Sequence, residues 1–266
     1  MSTDLVKTER RGTMEVLVLN RPLERNPLDR ASSAALRDAL RKAFADHDVR
    51  SVGITGAGEA FCAGGDLKQM EKFQAMPVED ALAWPQAIVD LHKDMLNAPK
   101  PVVAAVNGPA FAGGMGLAGM CDVIVASTTA KFAMPEVKLG MFPMIIVAHL
   151  ARALPRKVLL EMMMTGDAID AAEAYRIGFA NRMCAPVDLN SVLAEYAHKF
   201  ERVSPLALAM GRRTFGLLAD MPASQALDAA QFFNLPFFFG SDLTEGVSAF
   251  FDKRKPSWVP VQENNS

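Results

Sequence analysis

Two short stretches of the chain offer backbone donors rather than side-chain nucleophiles. "AFCAGGDLKQM" follows the β-branched run Ser51–Thr55, and "NGPAFAGGMGL" follows the run Pro101–Val106. Glycines placed just after a strand let the backbone approach a ligand closely and point N–H groups at it. A helix beginning at Gly113 or Gly114 adds its positive end. Two such loops can form a two-point oxyanion hole, although the same glycines also suit ordinary strand-to-helix turns. Neither loop ends in Gly-Lys-Ser/Thr and neither reads GxGxxG, so nucleotide hydrolysis and dinucleotide redox are poorly supported. Glu136, in "KFAMPEVKLG", is the other group with chemical potential. Among Phe132, Met134, Val137 and Phe142 it would be partly desolvated, with its pKa raised toward the range of a general base. On these residues alone an exposed acid or an N-cap near the loop is the plainer reading.

The elements that must hold these groups are legible from pattern. "MEVLVLN" (Met14–Asn20), Ser51–Thr55, Pro101–Val106 and Cys121–Ser127 are short and Val/Ile-rich, as strands are. "DRASSAALRDALRKAFAD" has helical spacing after an Asp/Ser start, and "PQAIVDLHKDMLNAPKP" is a second bounded helix. Strands alternating with helices predict an α/β fold. Beyond about Pro186 the pattern is helical, with Ser204-Pro205 as an N-cap followed by proline at the first helical position. Asp170 with Glu173, and Asp242 with Glu245, have the spacing of capping boxes. No repeat of fixed period stands out.

The 266 residues are half hydrophobic and 22% charged, with a formal charge of -2. That balance gives no electrostatic reason to expect nucleic acid or an anionic membrane as partner. Cys62, Cys121 and Cys184 are widely spaced without a zinc-like pattern, so reduced thiols and no metal site are expected. The first residues are too polar for a signal peptide, and a cytoplasmic location is expected.

Taken together, "AFCAGGDL", "NGPAFAGGMGLAGMCD", "AKFAMPEVKLGMFP", "ALPRKVLLEMMMTGDAIDAAEAYRIGFANRM" and "EGVSAFFDKRKPSW" resemble the crotonase, or enoyl-CoA hydratase/isomerase, superfamily, in order and spacing from about residue 10 to 258. The resemblance implies a spiral of repeated ββα units (residues 1–195) and a C-terminal helical subdomain (196–266) that mediates trimer formation. Acyl-CoA thioesters are the implied substrates, with coenzyme A arriving as part of the substrate and no separate cofactor. The implied assembly is a homotrimer or a dimer of trimers. The thioester oxygen would be bound by the N–H groups of Gly65 and Gly113. Ala63, Asp66, Met70, Gly114 and Phe142 would line the substrate, with Met76, Met141 and Met144 as a soft apolar wall. Arg25 and Lys68 would meet the CoA, Lys253 would reach a neighbouring subunit's CoA, and Phe250 would cover the adenine. Trp84 and Pro85 would belong to a lid.

Similar sequences that hydrate double bonds carry a glutamate where this chain has Gly116, whereas their second glutamate corresponds to Glu136. A single carboxylate resembles the pattern of a Δ3-to-Δ2 enoyl-CoA isomerase, in which one base removes the α-proton and returns it at the γ-carbon. The alternatives are a 2-enoyl-CoA hydratase using Glu136 to activate water, an acyl-CoA-binding protein with little or no turnover, and another enolate reaction, such as decarboxylation or thioester hydrolysis, that uses His92 or a residue not singled out. A solvent-facing role is the plainer expectation for His92, beside Lys93 and Asp94. Asp66 and Asp122 are expected to cap or brace the loops.

Overall fold

Strands form where the sequence runs β-branched and apolar. The computed structural model describes residues 4–66, 71 and 75–260, and contains β1 (Val6–Arg11), β2 (Met14–Leu19), β3 (Ser51–Gly56), β4 (Val102–Val106), β5 (Ala110–Phe111), β6 (Val123–Ser127), β7 (Lys131–Ala133), β8 (Ile169–Asp170) and β9 (Arg182–Cys184). Six of them form one sheet in the order β1-β2-β3-β4-β6-β9. The β1–β2 pair is antiparallel and all the others are parallel, with Val16 opposite Gly53 and Val103 opposite Val123.

Successive strand residues point to opposite faces, and both faces of this sheet are covered. On one face Leu17, Ile54, Val102 and Ala104 pack with Leu36 and Leu40 of the helix Arg30–Ala45 and with Leu91 and Met95 of the helix Gln86–Leu96. On the other face Met14, Val16, Val103, Ala105 and Val125 lie with Leu189, Val192, Leu193 and Ala197. Each such large side chain stabilises the fold by about 1.5–3 kcal/mol through burial. The helix Leu189–Glu201 carries that second layer, and it runs across the expected boundary at residue 195.

A smaller sheet, β5-β7-β8, is extended by the bridges Cys62–Ala110 and Pro27–Gly64. Each of β2, β3, β4 and β6 is thus followed by a short segment in the second layer and then by helix, which is the ββα spiral that the resemblance implies. Its turns begin at Met14, Ser51, Val102 and Val123, spaced too unevenly for a period to show in the sequence.

Most of the capping signals act as expected. Asp29 accepts the Ser32 N–H at 2.7 Å, Asp170 the Glu173 N–H at 2.8 Å, and Ser204 the Ala207 N–H at 2.9 Å. Asp242 does not cap, because its helix (Ser241–Phe251) has already begun behind Gly240. More distant partners win instead: Asp242 accepts from the Ser204 hydroxyl, and Glu245 binds Arg254 at 2.7 Å and the Ser257 N–H at 2.6 Å.

The C-terminal helices Pro205–Ala219, Ala223–Phe233 and Ser241–Phe251 bury little; Ala249 is their one fully enclosed apolar residue among the described residues. They are tied to the spiral by Arg212, whose guanidinium donates to Asp122 at 2.6 Å and to the carbonyls of Met95, Leu96 and Ala98 at 2.7–3.0 Å. Asp122 in turn accepts the Val102 N–H at 2.8 Å, so it braces the start of β4 as expected. Arg212→Ala would leave a desolvated carboxylate and three carbonyls short of a partner. Urea unfolding should show a loss of about 2–3 kcal/mol, with Arg212→Lys recovering only part of it.

Candidate active site

The glycine loops are laced together by their backbones. Phe61 and Cys62 both donate to the Pro109 carbonyl at 3.1 and 3.2 Å, and Phe111 donates to the Cys62 carbonyl at 2.9 Å. The closest approach is at Gly64, whose φ of +89° favours glycine. A Cβ there would lie 2.6 Å from the Ala112 Cβ, 2.7 Å from the Phe111 oxygen and 3.2 Å from the Gly113 nitrogen. This contact sets Gly65 of one loop beside Gly113 of the other. Ala112, at φ 50° and ψ −123°, holds a backbone conformation that side-chain-bearing residues rarely adopt. Strain of this kind persists only where surroundings fix it, and here the Ala112 N–H is held by the Ala133 carbonyl at 2.8 Å. Among the described residues, neither the Gly65 nor the Gly113 N–H has an acceptor.

Two cavities meet at Gly65, and Gly113 lines the first of them. One, of about 360 Å³, runs past Leu28, Trp84, Ile88, Phe142, Met144 and Ile146. The other, of about 420 Å³, runs past Leu23, Pro27, Ala63, Pro135 and Leu139. Gly65, Asp66, Ala112, Glu136 and Met141 line both.

Glu136 stands at this junction on the short 3-10 turn Pro135–Leu139, directly after β7. It is half-buried, and its Oε2 has no hydrogen-bond partner. Burial pushes its carboxyl above the ordinary glutamate value, with its own backbone N–H offsetting part of the effect. The other acids lining the first cavity differ: Asp29 is ion-paired to Arg21, and Arg21 also stands 3.8 Å from Asp66.

The place of the absent second acid is not vacant. A Cβ on Gly116 would lie 2.2 Å from Ile146 Cγ2 and 2.9 Å from Ile146 Cβ. Ile146, on the helix Met144–Ala153, is 4% exposed and fills the space that a longer residue at 116 would enter.

His92 is not solvent-facing. It is 7% exposed, its Nε2 lacks a partner, and its ring meets that of His149 edge-on at 5.0 Å. His149 Nε2 lies 3.0 Å from the Gly116 carbonyl, to which it would donate as the Nε2–H tautomer. The flanking Lys93 and Asp94 point the eye to a polar face, but the 3.6-residue period turns His92 inward with Leu91 and Met95. Desolvation and the neighbouring imidazole lower its pKa to about 3, so it is neutral at physiological pH, and it lines neither cavity. The unfolded chain takes up this proton near the ordinary value of 6.5 and the folded chain does not. Stability therefore falls as pH drops from about 6.5 toward 3. In His92→Leu the melting temperature should fall less over that interval than in the wild type, as followed by circular dichroism.

The remaining expected contacts divide. Ala63, Asp66, Phe142, Met141 and Met144 line the cavities. Gly114 lines neither; a Cβ there would lie 2.2 Å from the Cys62 oxygen, so its place is one of close packing. Arg25 is exposed and its carbonyl accepts the Ala63 N–H at 2.9 Å. Phe250 is 79% exposed, and neither it nor Lys253 lines either of these two cavities. Lys68 and Met70 lie outside the described residues. Ile146, Ala112 and His149 went unremarked in the sequence, since each acquires its role only through a partner distant along the chain; Arg21, paired with nearby Glu24 and Asp29, also went unremarked.

The family model described as enoyl-CoA hydratase/isomerase matches residues 9–260. A carnitinyl-CoA dehydratase of Escherichia coli is 36% identical over 255 residues, covering 94% of this chain and 96% of that protein. A rat protein named enoyl-CoA hydratase domain-containing protein 3, mitochondrial, is 32% identical over 254 residues, covering 96% and 84%. The crystal structure of an enoyl-CoA hydratase from Mycobacterium smegmatis superposes with a TM-score of 0.89 at 34% identity, covering 96% of this chain and 98% of that one.

Proposed function

The chain belongs to the enoyl-CoA hydratase/isomerase family, and from that premise we propose that it moves a double bond within an acyl-CoA, as a Δ3-to-Δ2 enoyl-CoA isomerase with Glu136 as its only base. The observation that carries this reading is that Glu136 is the one carboxylate at the cavity junction without a basic partner among the described residues, while Gly116 contributes no acid.

The thioester oxygen takes hydrogen bonds from Gly65 and Gly113. Glu136 removes a proton from C2, and the electrons of that C–H bond pass into a dienolate whose oxygen is held by the two N–H groups. Each such donor lowers the barrier by about 2.7–4 kcal/mol. The protonated Glu136 then delivers its proton to C4, leaving a C2=C3 double bond. The acyl chain occupies the Trp84–Ile146 cavity and the pantetheine arm the Ala63–Leu139 cavity.

The base works only when ionised, so kcat/KM should rise with pH through a pKa above glutamate's ordinary 4.5. Conversion of a 3-enoyl-CoA to its 2-enoyl isomer, followed as a function of pH, tests both points; no conversion at any pH contradicts the proposal. A hydratase in which Glu136 activates water is the second reading, favoured by the names of the relatives. An acyl-CoA-binding protein with little turnover is the third.

Oligomerisation is part of the same proposal. Phe215, Phe232, Phe238, Phe239 and Phe251 are all exposed on the C-terminal helical region, a density of apolar surface that suits an interface between copies. A homotrimer or dimer of trimers would bury them and bring Phe250 and Lys253 toward a neighbour's CoA; light scattering coupled to size exclusion measures the mass. No helix among the described residues is long and apolar enough to cross a membrane. For a cytoplasmic location the support is the set of three unpaired cysteines.

A further inference from the structure

We propose that Ile146 selects the reaction: its side chain occupies the position of a second acid, excludes water from that wall of the cavity, and so confines the site to proton transfer by Glu136. This deepens the isomerase reading and rests on it.

The helices Gly113–Gly119 and Met144–Ala153 meet through glycines on one face. A Cβ on Gly116 would lie 2.2 Å from Ile146 Cγ2, and one on Gly119 would lie 2.5 Å from Leu150 Cδ2. Packing alone would explain glycines at both positions. Ile146 differs from Leu150 in that it also lines the acyl cavity, beside Gly113 and Glu136. It is β-branched and helical, so one χ1 rotamer dominates and the side chain cannot swing aside cheaply. Behind it stand the neutral His92–His149 pair; His92 Cε1 is 3.7 Å from the same Gly116 Cβ position. Ile146 lines the cavity, whereas neither of these imidazoles does.

Hydration asks for what this wall denies. A water oxygen must bond to C3 while its proton passes to a carboxylate, the C2=C3 electrons move into the enolate, and C2 then receives a proton. That sequence needs room for a water and a second proton-transfer group near the acyl chain. Isomerisation needs neither, because Glu136 carries one proton from C2 to C4.

The test compares wild type, Gly116→Glu, Ile146→Gly and the double variant, using a 2-enoyl-CoA thioester in ¹⁸O-water. Glycine is required at 146 because alanine would keep a Cβ 2.9 Å from the new one. Gly116→Glu alone should melt at a lower temperature than wild type, and adding Ile146→Gly should restore part of the loss. The double variant should form ¹⁸O-labelled 3-hydroxyacyl-CoA at least tenfold faster than wild type. A folded double variant that hydrates no faster overturns the proposal. Should the double variant not fold, Ile146→Gly decides: at least threefold faster hydration supports the assignment, and an unchanged rate overturns it. Failure of the wild type to shift any 3-enoyl bond, with hydration still rising in the variants, removes the isomerase reading and leaves the role of Ile146 intact.

Discussion

Glu136→Gln is expected to lower turnover of a 3-enoyl-CoA by about 10²–10⁴-fold, the range spanned by a lost general base, while the protein stays folded. The amide keeps the shape of the side chain and removes its ability to accept the α-proton. Stability should move the other way or not at all. The folded state raises this carboxyl's pKa through desolvation, so it favours the protonated form, and ionising the group above that pKa weakens folding. A neutral residue escapes that cost, and the melting temperature at pH 7 should be no lower than that of the wild type. Affinity for a non-reacting acyl-CoA should be retained, because the proposed thioester donors are backbone groups of Gly65 and Gly113. Isothermal titration paired with the rate assay separates the two effects; a variant that keeps its turnover contradicts the assignment of the base.

Gly64→Ala should damage both the fold and the rate. Its φ of +89° disfavours any side chain, and the added carbon would lie 2.6 Å from Ala112 Cβ and 2.7 Å from the Phe111 oxygen. Both of those neighbours belong to the other loop, so relief requires the loops to part. Overpacking of this kind costs about 1–3 kcal/mol, to which the left-handed backbone adds. The larger effect is on catalysis, since parting the loops separates the Gly65 and Gly113 N–H groups. Losing one aligned donor costs about 10²–10³ in kcat. Gly140→Ala is the comparison: that glycine also has positive φ, but its Cβ would meet nothing within 4 Å, so it should share the backbone strain and spare the rate.

The parts of this account that were legible in the sequence are those written in contiguous residues. The strand runs, the Asp29 and Ser204 caps, the two glycine loops and Glu136 all sit inside local motifs, and the family resemblance fixed their relation to one another. What escaped was set by tertiary partners. His92 looked polar from its flanking Lys93 and Asp94, yet its face of the helix is the buried one. Asp242 and Glu245 had capping spacing and were claimed by Ser204, Arg254 and Ser257 instead. Gly116 was readable as an absence, but nothing in "MFPMIIVAHL" says that Ile146 fills it. The ββα repeat was hidden by turns of very unequal length.

The central claim is that one carboxylate moves one proton within a bound enoyl thioester. The measurement that tests it most directly is product analysis by NMR and mass spectrometry after incubating the wild-type protein, in deuterated water, with matched 3-enoyl- and 2-enoyl-CoA thioesters. The account predicts that the 3-enoyl substrate becomes the 2-enoyl product with deuterium at C4 at most partial, because Glu136 can return the proton it took, and that 3-hydroxyacyl-CoA is a minor product from either substrate. Rapid formation of 3-hydroxyacyl-CoA from the 2-enoyl thioester, without migration of the 3-enoyl bond, would contradict it.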